Sequence, residues 1–137
     1  MIITYNLSEL RQTAEQILDY CTSKTLLFEG EMGSGKTTLI KEIINCLGIS
    51  DTTSSPTYGF VNVYESANGT VVNHFDLYRL NVIDEAYDIG LEEYFYNDNY
   101  NLIEWPEVAL DIIPDNGYTI IIEKISENIR KLIIEKK

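Results

Sequence analysis

Apolar residues in the first quarter of the chain recur with two different periods. Ile2–Tyr5 and Thr25–Phe28 are short apolar runs typical of strands. Between them, apolar residues recur at the spacing of one helix face: Leu7, Leu10, Ala14, Ile17, Leu18 and Cys21. Asn6 or Ser8 is the expected N-cap. The pattern predicts a strand, an amphipathic helix and a second strand.

A second amphipathic helix is expected from Lys36 to Leu47. Its apolar face consists of Leu39, Ile40, Ile43, Ile44 and Leu47. Gly48 follows at the position where helices commonly end. The next segment, Ser50–Thr57, is polar and rich in serine and threonine, so we predict a loop there.

The middle of the chain carries the pattern of a β-hairpin. Phe60–Tyr64 and Val71–Phe75 are rich in strand-forming residues, and Asn68-Gly69 lies between them. This dipeptide favours a type I′ turn, because both central residues of that turn need a positive φ. We therefore expect an antiparallel hairpin inserted into the domain.

Shorter elements follow the hairpin. Asp84–Asp88 is predicted to be helical and to end at Gly90, and Asn101–Ile103 is predicted to be a strand. Pro106 can start a helical turn that runs to Leu110. Two further strands, Thr119–Ile122 and Ile129–Ile134, are expected on either side of a polar turn around residues 126–128.

The loop after the second strand matches the phosphate-binding pattern G-x-x-x-x-G-K-[ST] at every fixed position. The residues that we expect to contact a nucleotide are Gly30, Glu31, Met32, Gly33, Ser34, Gly35, Lys36, Thr37 and Thr38. Glycines let backbone N–H groups approach an anion, and the following helix directs its positive end at it. The lysine is expected on the β- and γ-phosphates and the Thr37 hydroxyl on Mg²⁺.

Such a site needs a carboxylate at the end of a neighbouring strand to hold Mg²⁺ directly or through water. Asp76 and Glu104 both follow apolar stretches and are the two candidates. Either acid can instead simply cap a loop at a strand end. Residues 54–57 are placed like a switch loop that senses the γ-phosphate.

Together, the patterns predict an α/β fold: a single P-loop NTPase-like domain over residues 1–137. Its mixed β-sheet carries the inserted antiparallel hairpin and is flanked by helices.

The composition limits which kinds of partner and which cellular location we expect for this chain. A net charge of −12 disfavours direct binding of nucleic acid by this chain alone. The N-terminus does not resemble a signal peptide, and no apolar run is long enough to span a membrane, so a cytoplasmic protein is expected. Cys21 and Cys46 fall on apolar helix positions and are expected to be core residues rather than a disulfide.

Five segments together make a specific family resemblance: GEMGSGKTT (30–38), SPTYGFVNVYE (55–65), HFDLYRL (74–80), DIGLEEYF (88–95) and LIEWPE (102–107). In this order and spacing they resemble the TsaE family, also called YjeE. That family consists of small P-loop ATPases of bacterial tRNA threonylcarbamoyladenosine synthesis. The segments span residues 30–107, more than half of the chain.

The resemblance implies an ATPase that works with the synthase subunits TsaD and TsaB, with tRNA held by those partners. It implies that Lys36 contacts phosphates, that Thr37 and Glu104 ligate Mg²⁺, and that Asp76 orients or activates the attacking water. It further implies that Trp105 matters for activity or coupling. Adenine contacts are expected near Ser8 and in the C-terminal region, where no motif fixes them.

Other interpretations are open at this point. A small-molecule kinase shares the P-loop, although no Arg-rich lid is visible in the sequence. A binding module, in which bound nucleotide only sets conformation, is the third class. His74 can be a base but is better explained as a structural histidine of the sheet. Arg79 can act on the transition state but is better explained as structural. The ten tyrosines are better explained as core and rim residues than as a partner surface.

Overall fold

A computed structural model of the chain describes residues 1–49, 55–57, 60–78, 87 and 90–137, with only the backbone described at 55–57. Eight strands form a single sheet in the order β1-β8-β7-β2-β6-β5-β4-β3. The strands are β1 (Ile2–Asn6), β2 (Thr25–Glu29), β3 (Ser55–Thr57), β4 (Val61–Glu65), β5 (Val71–Asp76), β6 (Tyr100–Glu104), β7 (Tyr118–Lys124) and β8 (Ile129–Lys136). The helices are α1 (Leu10–Tyr20), α2 (Lys36–Cys46) and α3 (Leu91–Phe95), with short 3₁₀ helices at Leu7–Glu9 and Pro106–Ala109.

The sheet is mixed, as predicted. The central strand β2 runs parallel to both β6 and β7, and β5 runs parallel to β6, whereas the other pairs are antiparallel. Because parallel strands end at the same edge, the carboxyl ends of β2, β5 and β6 meet there. The register places Asp76 beside Glu104 and Glu104 beside Phe28, so both predicted acids lie next to the loop that follows β2.

Both faces of the sheet are covered by apolar side chains. Leu26 and Phe28 of β2 point to one face and pack in a buried cluster with α1 and α2. Leu27 points to the other face and packs with α3 and the segment around Ile112. The alternation follows from the two-residue period of a strand. Together, the two clusters hold β2 in the centre of the molecule, and with it the start of the glycine-rich loop at residues 30–35, called the phosphate loop below after its sequence pattern.

The N-terminal helix begins with the first of its two predicted caps. The Ser8 N–H donates to Asn6 Oδ1 at 3.0 Å, and the Asn6 N–H donates to Glu9 Oε1 at 2.9 Å. This reciprocal capping box satisfies N–H groups that a helix start leaves free. The capped turn is a 3₁₀ helix, so the α-helix itself begins at Leu10 rather than Leu7.

Two local predictions were wrong. Ser55–Thr57 is not loop but β3, because it pairs with β4 at the sheet edge, where a proline is tolerated. The hairpin is present, but its turn is not type I′. Only Gly69 has a positive φ, at +89°, and the Ser66 N–H donates to Thr70 O across a three-residue loop. This geometry is the three-residue hairpin loop, which is also common and needs only one residue with a positive φ, usually glycine.

Some predictions lie outside the described residues: the loop at 50–54, Arg79, and the helix Asp84–Asp88 apart from Tyr87. Gly90 lies at the start of α3, with a φ of +73°, rather than at the end of a described helix. Both cysteines are free thiols, and Cys21 is buried as predicted. Within the described ranges, no helix has the length and apolar character needed to cross a membrane.

Candidate nucleotide site

The loop between β2 and α2 has a conformation that requires glycine. Gly35, the N-cap of α2, has a φ of +105°. Gly30 lies against the backbone of β7, where an added Cβ would be 2.7 Å from Ile122 O. These two positions explain why the sequence pattern fixes glycine at both ends of the loop.

Backbone N–H groups of this loop are available to an anion. Within the described residues, the amides of Gly33, Gly35 and the first three helical residues, 36–38, donate to no protein acceptor. Ser34 differs, because its N–H donates to Glu31 O at 3.1 Å. A helix start that follows an open glycine loop is a site where backbone N–H groups and the helix dipole bind phosphate.

Lys36 is nearly buried, with 6% of its surface exposed. Its ammonium donates to Gly30 O and lies 3.6 Å from the centre of the Trp105 ring. Burial lowers the pKa of this lysine, although Glu104, Glu107 and Asp76 favour its charged form. The lysine is thus a desolvated cation at the start of α2, which strengthens its attraction to a phosphate.

Glu104 lies at the centre of the site, with 4% of its surface exposed. The Thr37 hydroxyl donates to Glu104 Oε1 at 2.9 Å, and His74 Nε2 lies 2.7 Å from Oε2. Burial alone would raise the pKa of the Glu104 carboxyl. The hydrogen bonds from His74 and Thr37, with the attraction of His74 and Lys36, outweigh burial and lower the pKa. Glu104 is therefore held ionised and fixed at both oxygens.

Asp76 reaches the same cleft from the end of β5 but is exposed. Its Oδ1 accepts a hydrogen bond from the Tyr78 N–H at 3.2 Å, and it forms no ion pair with a described residue. The two predicted acids thus differ in environment: Glu104 is buried and fully hydrogen-bonded, and Asp76 faces solvent.

Trp105 has the only positive φ among described non-glycine residues, at +56°. This left-handed backbone costs about 1–2 kcal/mol for a bulky residue. The indole lies over the Lys36 ammonium and contacts the ring of Tyr78, with 5.0 Å between ring centres. The strained turn therefore places the indole against the Lys36 ammonium at the wall of the cleft.

The cleft has a volume of about 380 Å³, and two chemically different sets of side chains border it. One set is charged or polar apart from one aromatic ring: Lys36, Thr37, Asp76, Glu104 and Trp105. The other set consists of four apolar or aromatic side chains and one cation: Tyr5, Leu7, Leu10, Met32 and Arg130.

Most predicted site residues border this cleft; Gly30, Glu31 and Ser34 do not, and form the back of the loop. Of the remaining predicted residues, Gly33, Gly35 and Thr38 border it together with those named above. The side chain of Thr57 lies outside the described residues.

The donor set fits Mg²⁺. Thr37 Oγ1 and Glu104 Oε1 are adjacent hard oxygen atoms, and Mg²⁺ prefers one or two protein oxygens completed by water and substrate phosphates. No group of three or more His, Cys, Asp or Glu side chains in the described ranges could hold a metal by itself. Thr37 and Glu104 could therefore hold Mg²⁺ together with water and the phosphates of a nucleotide.

Sequence reasoning missed two contributors to the site. His74 is within the sheet, as its structural interpretation expected, but its partner is the Glu104 carboxylate on the neighbouring strand. Arg130 borders the cleft from β8, far along the chain from any motif. The two-residue spacing of His74 and Asp76 hinted at the first, whereas no sequence signal indicated the second.

Comparison with known proteins gives a consistent result. The family model described as "Threonylcarbamoyl adenosine biosynthesis protein TsaE" matches residues 4–132. A Haemophilus influenzae protein named "tRNA threonylcarbamoyladenosine biosynthesis protein TsaE" is 37% identical over 107 residues, covering 77% of this chain and 67% of its own length. A Rickettsia felis protein of the same name is 33% identical over 132 residues, covering 95% of this chain and 76% of its own length.

A third relative of that name, from Borreliella burgdorferi, is 45% identical over 92 residues, which are 66% of either chain. The matched part thus spans about two thirds of the length of several of these relatives. Among solved structures, "Crystal structure of Bacillus subtilus YdiB" matches the whole chain and 87% of its own, with a TM-score of 0.73 and 23% identity. That likeness supports the fold alone.

Proposed function

The chain belongs to the TsaE family, and on that premise we propose that it is the ATP-hydrolysing subunit of a tRNA threonylcarbamoyladenosine synthase. The observation that carries the proposal is the contact between the Thr37 hydroxyl and the Glu104 carboxylate, at 2.9 Å, beside the buried Lys36. A site that hydrolyses a nucleotide requires a phosphate loop, a pair of oxygen ligands for Mg²⁺ and a desolvated cation close to one another.

In this proposal the free amides of the loop and Lys36 hold the β- and γ-phosphates of ATP. Thr37 and Glu104 hold Mg²⁺, which neutralises charge on the phosphates when bound. Glu104 suits this role because its lowered pKa keeps it ionised at neutral pH. The preference for ATP over GTP rests on the family, since the sequence lacks the guanine-specific motif N-K-x-D.

Asp76 is assigned to the water that attacks the γ-phosphate. It borders the cleft next to Glu104 but forms no ion pair with a described residue, so its carboxylate is available to orient or activate water. Trp105 packs on Lys36, and we assign it to coupling, in which a change at the bound phosphates is transmitted to the residues around the cleft. Both assignments are about positioning rather than covalent chemistry.

The partners in this proposal are TsaD and TsaB, and the site of action is the cytoplasm. The net charge of −12 supports an indirect relation to tRNA, held by the partner subunits, because this chain repels a phosphate backbone. Hydrolysis by this subunit then sustains repeated rounds of modification.

The proposal is tested by multiple-turnover formation of threonylcarbamoyladenosine on tRNA by TsaB–TsaD, with this chain added as wild type or variant. Lys36→Ala is expected to lose nucleotide binding. Asp76→Ala is expected to bind ADP within about threefold of wild type and to lose about 10²–10⁴-fold in hydrolysis. Asp98→Ala removes an exposed acid that does not border the cleft and serves as the matched control.

Normal turnover by the Asp76→Ala variant would refute the role given to that acid. If the wild-type chain binds ATP but TsaB–TsaD turns over equally well without it, the role in the synthase is wrong. Transfer of phosphate to a metabolite instead of water, detected with radiolabelled ATP and a panel of acceptors, would identify a small-molecule kinase.

A further inference from the structure

Arg130 is a buried cation without an acidic partner. Only 7% of its surface is exposed, and it forms no ion pair with any described residue. Buried charges in proteins are normally paired, because removing a charge from water is costly unless an opposite charge or several hydrogen bonds replace the water. Backbone carbonyls offset part of this cost for Arg130 but leave one of its guanidinium nitrogens without a described partner, and an arginine of this kind at the wall of a cleft suits an anionic ligand.

Backbone carbonyls hold the Arg130 guanidinium in place. Its Nε donates to Ser34 O at 2.9 Å, and its Nη1 donates to Ser126 O at 2.8 Å and to Ile129 O at 3.2 Å. Arg130 therefore joins the turn between β7 and β8 to the middle of the phosphate loop. Its Nη2 has no hydrogen-bond partner in the described part of the chain.

The bond to Ser34 O has a consequence for the next amide. In a planar trans peptide, the carbonyl and the following N–H point in opposite directions. Because Arg130 holds the Ser34 carbonyl on one side, the Gly35 N–H is directed away from the guanidinium. This amide is one of those with no protein acceptor.

Arg130 and Glu104 lie on opposite sides of the phosphate loop. In the strand order β8-β7-β2-β6, the loop leaves β2, Arg130 is on β8 and Glu104 is on β6. Both side chains border the same cleft. A phosphate chain bound on the loop would therefore have the Glu104 carboxylate on one side and an arginine without an acidic partner on the other.

We infer that Arg130 is a positioning residue of the phosphate site: it orients the Ser34–Gly35 peptide toward the phosphates and supplies the positive charge that the phosphates neutralise. The inference rests on the proposed function in that the cleft binds a nucleotide. It adds a residue that lies outside every motif of the sequence.

The test compares Arg130→Gln and Arg130→Lys with wild type in binding ADP and pyrophosphate, by titration calorimetry, at a temperature where thermal unfolding shows each protein folded. Arg130→Gln is expected to weaken both ligands alike, by about 10–100-fold, since it removes charge-assisted hydrogen bonds. Arg130→Lys retains the charge, but an ammonium cannot make the several hydrogen bonds of a planar guanidinium, so about a 3–10-fold loss of affinity is expected. Arg11→Gln, which removes an exposed arginine of α1, controls for net charge and should bind as wild type does.

Wild-type affinity for both ligands in Arg130→Gln would overturn the inference and assign Arg130 to stability alone. A loss for ADP without a loss for pyrophosphate would also overturn it, because the contact would then be with the base or sugar. If Arg130→Gln does not fold, the lysine variant decides: an unchanged affinity for pyrophosphate contradicts the inference. Failure of wild type to bind either ligand would instead contradict the proposed nucleotide site.

Discussion

Gly30→Ala tests why the phosphate loop can approach the sheet. The new Cβ would lie 2.7 Å from Ile122 O and 2.8 Å from Ser34 Oγ, and real Cβ atoms essentially never come within 3.0 Å of another heavy atom. Ile122 cannot yield easily, because β7 is paired on one side with β2 and on the other with β8.

The expected cost has two parts. Overpacking against the fixed carbonyl costs about 1–3 kcal/mol, and the φ of +155°, which side chains rarely adopt, adds about 1–2 kcal/mol. We expect a loss of about 2–5 kcal/mol in the free energy of unfolding. Urea unfolding followed by far-UV circular dichroism measures this loss.

Gly33→Ala is the matched control. Its φ is +79°, but an added Cβ there meets nothing within 4 Å, so only the backbone cost of about 1–2 kcal/mol is expected. The difference between the two variants isolates the close contact. Equal losses of stability in Gly30→Ala and Gly33→Ala would refute the argument that Gly30 is required by its approach to β7.

Three further predictions concern buried groups. Because the pKa of the Glu104 carboxyl lies below its ordinary value of 4.5, its ionised form stabilises the folded state above about pH 4.5, and this contribution is lost as the pH falls further. The stability of wild type relative to Glu104→Gln, measured by urea unfolding, should therefore decrease between pH 6 and pH 3; a constant difference contradicts this. Burial raises the pKa of Cys21 to about 11, so this thiol should react with Ellman's reagent at pH 8 only after denaturation. The measurement uses Cys46→Ala, which removes the other, partly buried thiol, and rapid labelling of this variant in its native state would contradict the prediction. Leu27→Ala, in the fully buried centre of β2, should cost about 2–5 kcal/mol. Leu110→Ala, at an exposed position, should cost under about 0.5 kcal/mol, and similar losses in the two variants would contradict the packing described here.

Local signals were sufficient for much of the fold. Apolar runs identified β2 and β6, helical periodicity identified α2, and the glycine–lysine pattern identified the loop between them. These elements could be predicted because each depends on residues close together in the chain. Asp76 and Glu104 could be named as candidates because each follows an apolar stretch, whereas their position side by side depends on the parallel pairing of β5 with β6.

The errors have the opposite cause. The strand Ser55–Thr57 depends on pairing with β4 rather than on its own polar sequence, so its composition suggested a loop. The turn at Asn68-Gly69 contains the expected dipeptide, but in a three-residue loop. The dipeptide alone does not determine the length of the loop. Arg130 reaches the phosphate loop across 96 positions of sequence, through a carbonyl oxygen that no residue pattern records.

We propose that this chain hydrolyses ATP at the Lys36–Thr37–Glu104 site under the control of synthase partners. The most direct measurement is steady-state release of phosphate from Mg·ATP by the purified chain, alone and with the TsaB–TsaD pair added. We expect slow hydrolysis that rises when the pair is present and is lost in Lys36→Ala. Hydrolysis that is indifferent to the pair, or that persists in Lys36→Ala, would contradict it.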